Sequence, residues 1–260
     1  MEFFDTHAHY DDNKFDEDRE LIIEKIQKEG VTKCLDVGCD VKSSIFAIEL
    51  SKKYDFMYAI CGIQPCEIPQ NEEKLWKDIQ EIKSLVNKND KIVAIGEIGL
   101  DYHYEGFDKE LQKKAFIEQI KLANELNLPI SIHTRDAIDD TINILRNNKI
   151  KNSGVLHCCP FNKELVKHGV EQGLYIAFGG TCTFKNSKNA REIIKDMPQE
   201  KILIETDSPY LAPDPVRGTR NDSGNLKYVV NKIAEFREET PENVAKYTYE
   251  NAMRLFKIEK

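Results

Sequence analysis

The sequence lacks the cysteine pattern of a disulfide-linked scaffold or of a structural zinc knuckle. It contains seven cysteines, an odd number, and no two of them stand in a Cys-x-x-Cys arrangement. Disulfide frameworks pair an even number of cysteines, and zinc knuckles repeat short cysteine spacings. Several of the seven lie in apolar runs, as buried thiols commonly do. We therefore expect free thiols inside a core that is large enough to need no covalent links.

The sequence also lacks a linker rich in proline, glycine or serine, and it lacks a hydrophobic run long enough to span a bilayer. Its 260 residues are 40% hydrophobic, and without a linker they favour one domain over residues 1–260. A length of about 250 residues is typical of a barrel of eight βα units. Because the first residues show no secretion signal, we expect a soluble, cytoplasmic protein without a membrane partner.

An excess of positive charge is absent as well. The net charge is −8 and the isoelectric point is near 5.4, with both signs mixed along the predicted helices. A protein whose main task is to coat nucleic acid needs a basic face, so the charge argues against this class. The charge is compatible with an enzyme that holds one phosphate at a time through metal ions, and an ordinary acidic surface explains it equally well.

Apolar strand patterns alternate with helical patterns along the whole chain. The strand patterns lie at residues 3–9, 33–38, 57–63, 92–97, 130–133, 154–157, 174–180 and 202–207. The helical patterns lie at residues 15–29, 43–51, 72–87, 107–127, 190–194, 226–236 and 241–256, and another helix follows the turn at 134–136 and ends at 145. This alternation predicts a parallel sheet covered by helices. We therefore predict an α/β fold of the TIM (β/α)8 barrel type.

Imidazoles and carboxylates stand at the ends of several predicted strands. The six residues are His7, His9, Glu97, His133, His157 and Asp207. In a parallel barrel the C-terminal ends of all strands meet at one face, where active sites are built. His7 and His9 are two residues apart on one strand, so both imidazoles point to the same side. We therefore expect the six groups to converge.

Each of the six residues has an ordinary explanation when it is taken alone. His133 or His157 fits a hydrogen-bonded core histidine, and Asp207 fits the start of a turn because Ser208-Pro209 follows it. Together, however, the six groups would leave several charges and donors uncompensated unless cations lay among them. The cluster therefore predicts two divalent metal ions.

The ligand set divides between these two ions. Glu97 is long enough to bridge them, and the other proposed ligands are, for one ion, His7, His9 and Asp207 and, for the other, His133 and His157. Two ions about 3.5–4 Å apart can generate a hydroxide and hold the attacking and leaving oxygen atoms of a displacement. Asp207 is the candidate general base in this hypothesis. Zinc or manganese suits imidazole ligands better than magnesium, which prefers oxygen ligands.

Five motifs are spread over essentially the whole chain. They are Asp-Thr-His-Ala-His at 5–9, Ala-Ile-Gly-Glu-Ile-Gly-Leu-Asp at 94–101, Pro-Ile-Ser-Ile-His-Thr-Arg at 129–135, Gly-Val-Leu-His-Cys at 154–158 and Ile-Glu-Thr-Asp-Ser-Pro-Tyr-Leu-Ala-Pro at 204–213. Together they resemble the TatD family of metal-dependent deoxyribonucleases, within the amidohydrolase-like barrels. The resemblance implies a barrel, metal roles for the six strand-end residues, and hydrolysis of phosphodiester bonds in DNA, often from a 3′ end. It implies magnesium as the usual ion, so magnesium, manganese and zinc all stay open.

The chain departs from the family pattern after its third strand. The family usually has Gly-x-His-Pro-His there, and its first histidine approaches the scissile phosphate, whereas this chain has Gly-Ile-Gln-Pro-Cys at 62–66. Gln64 can donate a hydrogen bond to a phosphate oxygen, but it carries no positive charge and donates no proton at neutral pH. We therefore expect weaker assistance to the phosphate or to the leaving group at this position.

Loops beyond the strand ends are expected to bind the substrate. Arg217, Arg220 and Asn221 resemble the family's Arg-Gly-x-Arg-Asn loop, and Arg135 lies just beyond a predicted metal ligand. Guanidinium groups match phosphate oxygens bidentately. For any one of these arginines, a surface salt bridge is a nearly equal alternative.

The sequence thus favours a metal-dependent hydrolase that cleaves phosphodiester bonds of DNA. We expect such an enzyme to bind DNA weakly and without sequence specificity. The alternative is a hydrolase of the same fold that acts on a small amide, lactone or ester, because such a metal site activates water for either reaction. A third class is a binding protein that has lost catalysis, for which Gln64 is the only argument. The sequence leaves the oligomeric state open.

Overall fold

Eight parallel strands form one sheet and are hydrogen-bonded in chain order. In the computed structural model, which describes residues 1–259, they are β1 (Phe3–Ala8), β2 (Val31–Val37), β3 (Met57–Cys61), β4 (Ile92–Asp101), β5 (Ile130–Arg135), β6 (Gly154–Leu156), β7 (Tyr175–Phe178) and β8 (Ile202–Ile204). Beyond β8 the chain returns to β1, where Ala8 forms a bridge with Ser208. The amide of Asp207 donates to the carbonyl of His7 at 2.9 Å. The predicted (β/α)8 barrel is therefore confirmed.

Helices cover the outside of this sheet. In residues 1–259 they are α1 (Arg19–Lys28), α2 (Val41–Lys53), α3 (Glu72–Val86), α4 (Lys109–Leu126), α5 (Ile138–Asn147), α6 (Lys163–Glu171), α7 (Ala190–Asp196), α8 (Leu226–Arg237) and α9 (Pro241–Phe256). Side chains fix several helix starts: Asp40 and Ser43 form a capping box at α2, and Thr240 caps α9. Such caps satisfy amides that have no partner within the helix. Across the described residues, every helix is too short or too polar to cross a membrane.

Helix α6 was not anticipated from the sequence. It has nine residues and buries only Leu165, Val166 and Gly169. A glycine within so short an apolar stripe weakens the helical pattern, because glycine is a poor helix former. The helix start is nevertheless well defined, since the side chain of Asn162 accepts a hydrogen bond from the amide of Leu165 at 2.9 Å.

Strand β4 is longer than predicted, and the prediction that it ends at Glu97 was wrong. The pairing of β4 with β5 shifts between Ile95 and Ile98 and then continues until Asp101 stands opposite Arg135. Glu97 lies within this irregular segment, where the strand departs from regular pairing. Strand β8 is shorter than predicted and ends at Ile204, three residues before Asp207. Asp207 itself has a φ of +56°, so its backbone is not extended.

The close approach of β4 to β5 depends on Gly99. Its φ is +140°, and a Cβ atom built there would lie 2.0 Å from the carbonyl oxygen of His133. Real Cβ atoms do not come this close to a backbone oxygen, so only glycine fits without a shift of the strand. Gly99 is therefore one of the residues that set the position of His133 relative to β4.

An apolar cluster fills the centre of the barrel. Its members include Phe4, Leu35, Ile60, Val93, Val155, Tyr175 and Leu203. These residues come from seven different strands, and only the barrel interior brings seven strands together. Phe256 of α9 packs against Phe4 with ring centroids 6.1 Å apart, so the last helix covers the N-terminal end of β1. The polar site is thereby confined to the opposite end of the strands.

We expect Gly99→Ala to lower the free energy of unfolding by about 3 kcal/mol or more, because the added methyl group meets the His133 carbonyl and the backbone is left-handed. The matched control is Gly106→Ala, which also has a positive φ, +95°, but has open space around the new Cβ atom. The control should lose only about 1 kcal/mol. Denaturant unfolding of both variants is the measurement, and equal losses would contradict the steric argument.

Candidate metal centre

The barrel brings all six predicted strand-end residues to one place. Strand β1 carries His7, and His9 follows it by one residue; β4 carries Glu97 and β5 carries His133. His157 follows β6 directly, and the turn after β8 brings Asp207 beside β1. All but Asp207 and His133 are at least nine-tenths buried, so the polar groups have little access to water.

The carboxylate of Glu97 lies at the centre of this cluster. Its Oε1 atom is 2.7 Å from Nδ1 of His133 and 3.2 Å from Nε2 of His157. Its Oε2 atom is 3.4 Å from Nε2 of His7 and 3.8 Å from Nε2 of His9. Each carboxylate oxygen therefore faces two imidazoles, as a bridging ligand between two cations would.

The side of the cluster formed by β1 and the turn after β8 contains three groups. The Nε2 atoms of His7 and His9 are 3.1 Å apart, and Nε2 of His9 is 3.4 Å from Oδ1 of Asp207. Two imidazole nitrogens and a carboxylate oxygen converge here. This donor set matches the nitrogen and oxygen ligands of zinc or manganese.

Four sets of potential ligand atoms satisfy the spacing needed to hold an ion, since the atoms of each set lie within 4.8 Å of one another. They are His7, His9 and Asp207; Glu97, His133 and His157; His7, His157 and Glu205; and His9, Cys39 and Glu97. The residues present thus fit divalent metal ions, since each set offers imidazole nitrogen together with a carboxylate. The first two sets match the division expected from the sequence, apart from the bridging position of Glu97.

Three further groups lie beside the outer ring nitrogen atoms of His9, His133 and His157. Nδ1 of His9 donates to the carbonyl of Val37 at 2.8 Å, which leaves Nε2 as the nitrogen that faces the centre. Nε2 of His133 lies 3.0 Å from Oδ2 of Asp101, and Nδ1 of His157 lies 3.4 Å from Oε1 of Glu205. Outer partners of this kind orient metal-binding imidazoles and raise their basicity.

Asp101, Glu205 and Cys39 were not assigned roles from the sequence. Asp101 follows Glu97 by four residues and Glu205 precedes Asp207 by two, so the period of two along a strand could have placed both on the face of the site. The thiol of Cys39 is 4.0 Å from Oε2 of Glu97 and has no comparable signal in the sequence. Such partners depend on how strands meet in three dimensions.

The charged groups of the cluster shift the pKa values of one another. Burial by itself raises the pKa of Glu97, but the imidazoles of His157, His133 and His7 hold that pKa well below its usual range. Burial lowers the pKa of His157, and against it Glu205 and Glu97 raise the pKa well above its usual value. A metal ion must displace protons from these imidazoles, so we expect its affinity to fall as the pH falls.

Two of the predicted substrate-binding residues are exposed and free of carboxylate partners among residues 1–259. The guanidinium of Arg135 lies over the ring of Tyr104 at 5.2 Å, and that of Arg217 lies over the ring of Phe184 at 4.0 Å. The side chain of Gln64 is partly used, because its Oε1 accepts a hydrogen bond from the amide of Cys66 at 2.6 Å. Its amide NH₂ group remains a possible donor.

The other two predicted substrate-binding residues are engaged within the protein. Arg220 donates to both carboxylate oxygens of Asp18, at 2.8 and 2.6 Å, in a bidentate pair. Asn221 is buried, and its Nδ2 donates to the carbonyls of Thr206 at 2.9 Å and Tyr210 at 2.8 Å. These contacts hold the loop after β8 against the site.

The fold and the cluster together define a metal-dependent hydrolase of the (β/α)8 barrel class. The profile of the TatD related DNase family matches residues 4–257, and the chain belongs to this family.

Named relatives agree with this assignment. The uncharacterized metal-dependent hydrolase YabD of Bacillus subtilis is 43% identical over 257 residues, which cover 98% of this chain and 99% of that protein. The 3′-5′ ssDNA/RNA exonuclease TatD of Escherichia fergusonii is 32% identical and covers 98% of this chain and 99% of its own. The crystal structure of YJJV, a TatD homolog from Escherichia coli K12, superposes with a TM-score of 0.92 at 26% identity, covering 99% of this chain and 98% of that one.

We expect Asp101→Asn to weaken metal binding about 10- to 100-fold, because the ring of His133 loses the carboxylate that orients it. Calorimetric titration of metal-stripped protein with zinc or manganese measures this affinity. Asp136→Asn is the matched control, since Asp136 also pairs with an imidazole at 3.0 Å, that of the exposed His103. Equal affinities in both variants would show that Asp101 does not support the metal centre.

Proposed function

We propose that the protein is a nuclease that removes nucleotides from the 3′ end of single-stranded DNA with two divalent metal ions. The position of the Glu97 carboxylate, with each oxygen facing two imidazoles, is the observation that supports this proposal most directly. The relative from Escherichia fergusonii, which is named as a 3′-5′ exonuclease of single-stranded DNA and RNA, supports the choice of substrate.

The two ions are proposed to share Glu97. One is held in addition by His7, His9 and Asp207, and the other by His133 and His157. When bound, such a pair of ions acidifies a water molecule and neutralises charge on a phosphodiester. The metal is proposed to be magnesium, manganese or zinc. Buried groups around the site exclude other water, which strengthens each of these electrostatic interactions.

Asp207 is proposed to take the proton of the attacking water. Burial raises the pKa of Asp207, but the hydrogen bond to His9 and the charge of His157 bring it below its usual value. The carboxylate is therefore ionised at neutral pH and can accept a proton. It is also the least buried of the carboxylates in the cluster, with 18% of its side chain exposed, so a substrate can reach it.

Phosphate groups of the substrate are proposed to contact Arg135, Arg217 and the amide of Gln64. The two arginines have exposed guanidinium groups, which are suited to bidentate phosphate contacts. Arg220 and Asn221, which the sequence also suggested, are proposed to act on the substrate by positioning the loop after β8. Their side chains already have partners in the protein.

The first test is hydrolysis of a short 3′-labelled single-stranded DNA by metal-stripped protein to which magnesium, manganese or zinc is added back. We expect cleavage to depend on the metal and to fall at least about 100-fold in Glu97→Ala, because this change removes the shared ligand. Glu67→Ala is the control, since Glu67 is an exposed glutamate after β3 that takes no part in the cluster.

Two outcomes would contradict the proposed function. Cleavage that persists in Glu97→Ala, with no contaminating nuclease, would place the chemistry elsewhere. Absence of cleavage with every metal, in protein that still binds metal, would favour the hydrolysis of a small amide, lactone or ester instead. Excess oligonucleotide should then leave the hydrolysis of a small ester unaffected.

We also expect Gln64→His to increase kcat on single-stranded DNA roughly 10- to 100-fold, because a histidine can donate a proton to the leaving oxygen where glutamine cannot. The rate should be measured with metal content and thermal unfolding checked in the same preparation. Gln64→Asn is the control that keeps an amide without adding a titratable group. An unchanged rate in a folded, metal-loaded Gln64→His variant would show that position 64 does not assist the leaving group.

A further inference from the structure

Three loops at the face that carries the metal centre each contain an aromatic ring with a cation positioned over it. Arg135 lies over Tyr104 at 5.2 Å, Arg217 over Phe184 at 4.0 Å, and the Nζ atom of Lys14 over Tyr210 at 4.0 Å. Among residues 1–259, none of these three cations has a carboxylate oxygen within 4.0 Å of its charged nitrogen atoms. Their charge is therefore available to a ligand.

Two of these rings are unusually exposed. Tyr104 is 53% exposed and Tyr210 is 44% exposed, and they are the most exposed aromatic residues in the described part of the chain. Covering an exposed ring of this kind stabilises a complex, since burial of a large apolar side chain removes apolar surface from water. At the face of the metal centre the two rings therefore offer apolar area that a ligand can cover.

Tyr104 is linked to the metal centre through its cation. The phenol of Tyr104 is 3.4 Å from a guanidinium nitrogen of Arg135. Arg135 is two residues beyond His133 on β5, so both side chains point to the same face of that strand. Arg135 thus connects the ring of Tyr104 to the strand that carries the proposed metal ligand His133.

Tyr210 stands on the other side of the cluster. Its amide donates to the carbonyl of Asp207 at 2.8 Å, which fixes the residue three positions beyond the proposed general base. Its hydroxyl donates to Asp12 at 2.5 Å, and the Nζ atom of Lys14 lies over its ring. The two tyrosines therefore flank the metal centre from the loops that follow β4 and β8.

We propose that Tyr104 and Tyr210 are stacking platforms for the bases of single-stranded DNA, with Arg135 and Lys14 as their phosphate contacts. This inference rests on the proposed nuclease function, and it assigns the part of the substrate that lies beside the scissile bond. Aromatic faces bind bases without regard to sequence, and neighbouring cations bind the backbone between them. A single strand suits such platforms better than a duplex, in which only the terminal base pair has a free face.

The test is binding of the metal-loaded protein to a fluorescent oligothymidylate whose 3′-terminal linkages are phosphorothioate and resist cleavage. Fluorescence anisotropy should show an increase in Kd of roughly 5- to 100-fold for Tyr104→Ala and for Tyr210→Ala. Tyr104→Phe should bind like the parent protein, because the ring is retained. The control is Tyr54→Ala, since Tyr54 also lies under a lysine, Lys53, but follows α2 at the opposite end of the barrel.

An abasic strand of the same length separates base stacking from phosphate binding. It should bind the two tyrosine variants and the parent protein with the same Kd, whereas Arg135→Ala should bind both strands more weakly. The inference would be overturned if the tyrosine variants bound the oligothymidylate like the parent protein. It would also be overturned if their Kd for the abasic strand rose as much as their Kd for the oligothymidylate. If the tyrosine variants cleave single-stranded DNA and bind it like the parent protein, the stacking proposal is wrong but the proposed nuclease function is supported. If binding depends on the tyrosines but no DNA is cleaved, the stacking site is supported and the nuclease function is wrong.

Discussion

The burial of a single carboxylate, that of Glu97, is the constraint on which the site depends. Only 3% of this residue is exposed, and an ionised carboxylate without partners is strongly destabilised in such a place. Its partners are four imidazoles supplied by β1, β5 and β6. Four strands, β4 included, must therefore reach one point together, and the irregular pairing of β4 around Glu97 is the local distortion that accompanies this convergence. The same arrangement of charges that stabilises the carboxylate also makes it a ready bridge between cations.

The junction between β1 and the turn after β8 also brings groups of the cluster together, through the buried side chain of Asp5. Its Oδ1 atom accepts hydrogen bonds from the amides of His7 at 3.2 Å and Thr206 at 3.0 Å, and its Oδ2 atom accepts one from the Thr206 hydroxyl. Burial nevertheless raises the pKa of Asp5 to about 7, so these bonds offset only part of the cost of removing the carboxylate from water. Asp5 ties the middle of β1 to the turn after β8, and beyond this connection Nε2 of His9 lies 3.4 Å from Oδ1 of Asp207.

The sequence was informative wherever a property repeats locally. Alternation of strands and helices predicted the barrel, and polar residues that interrupt apolar strands predicted His133 and His157 as parts of one cluster. The extent of β4 was not predictable in this way, because the charged Glu97 interrupts the apolar run that marks a buried strand. The position of Asp101 at the end of the same strand was therefore not predicted.

Interactions between distant parts of the chain were beyond local patterns altogether. The partner of Arg220 is Asp18, which is 202 positions away in the sequence, and no spacing rule connects the two. No spacing rule predicts the contact of Glu205 with His157 or the position of Arg135 over the ring of Tyr104 either. A strand-end histidine can be recognised from its neighbours in the chain, whereas the group that orients its ring can be recognised only once the strands are assembled.

A net charge of −8 raises the question of how such a protein would hold the proposed polyanionic substrate. The overall field repels DNA, so the proposed substrate must be held by local contacts that act within a Debye length of about 8 Å. Metal ions in the cluster and the few unpaired cations over aromatic rings are contacts of this kind. Because each phosphate contact makes binding more sensitive to salt, a site with few of them binds weakly but depends little on ionic strength. Under the proposed function, base stacking would contribute a larger share of the affinity than in a basic nucleic-acid-binding protein, and such a site would favour the end of a single strand, where bases are free.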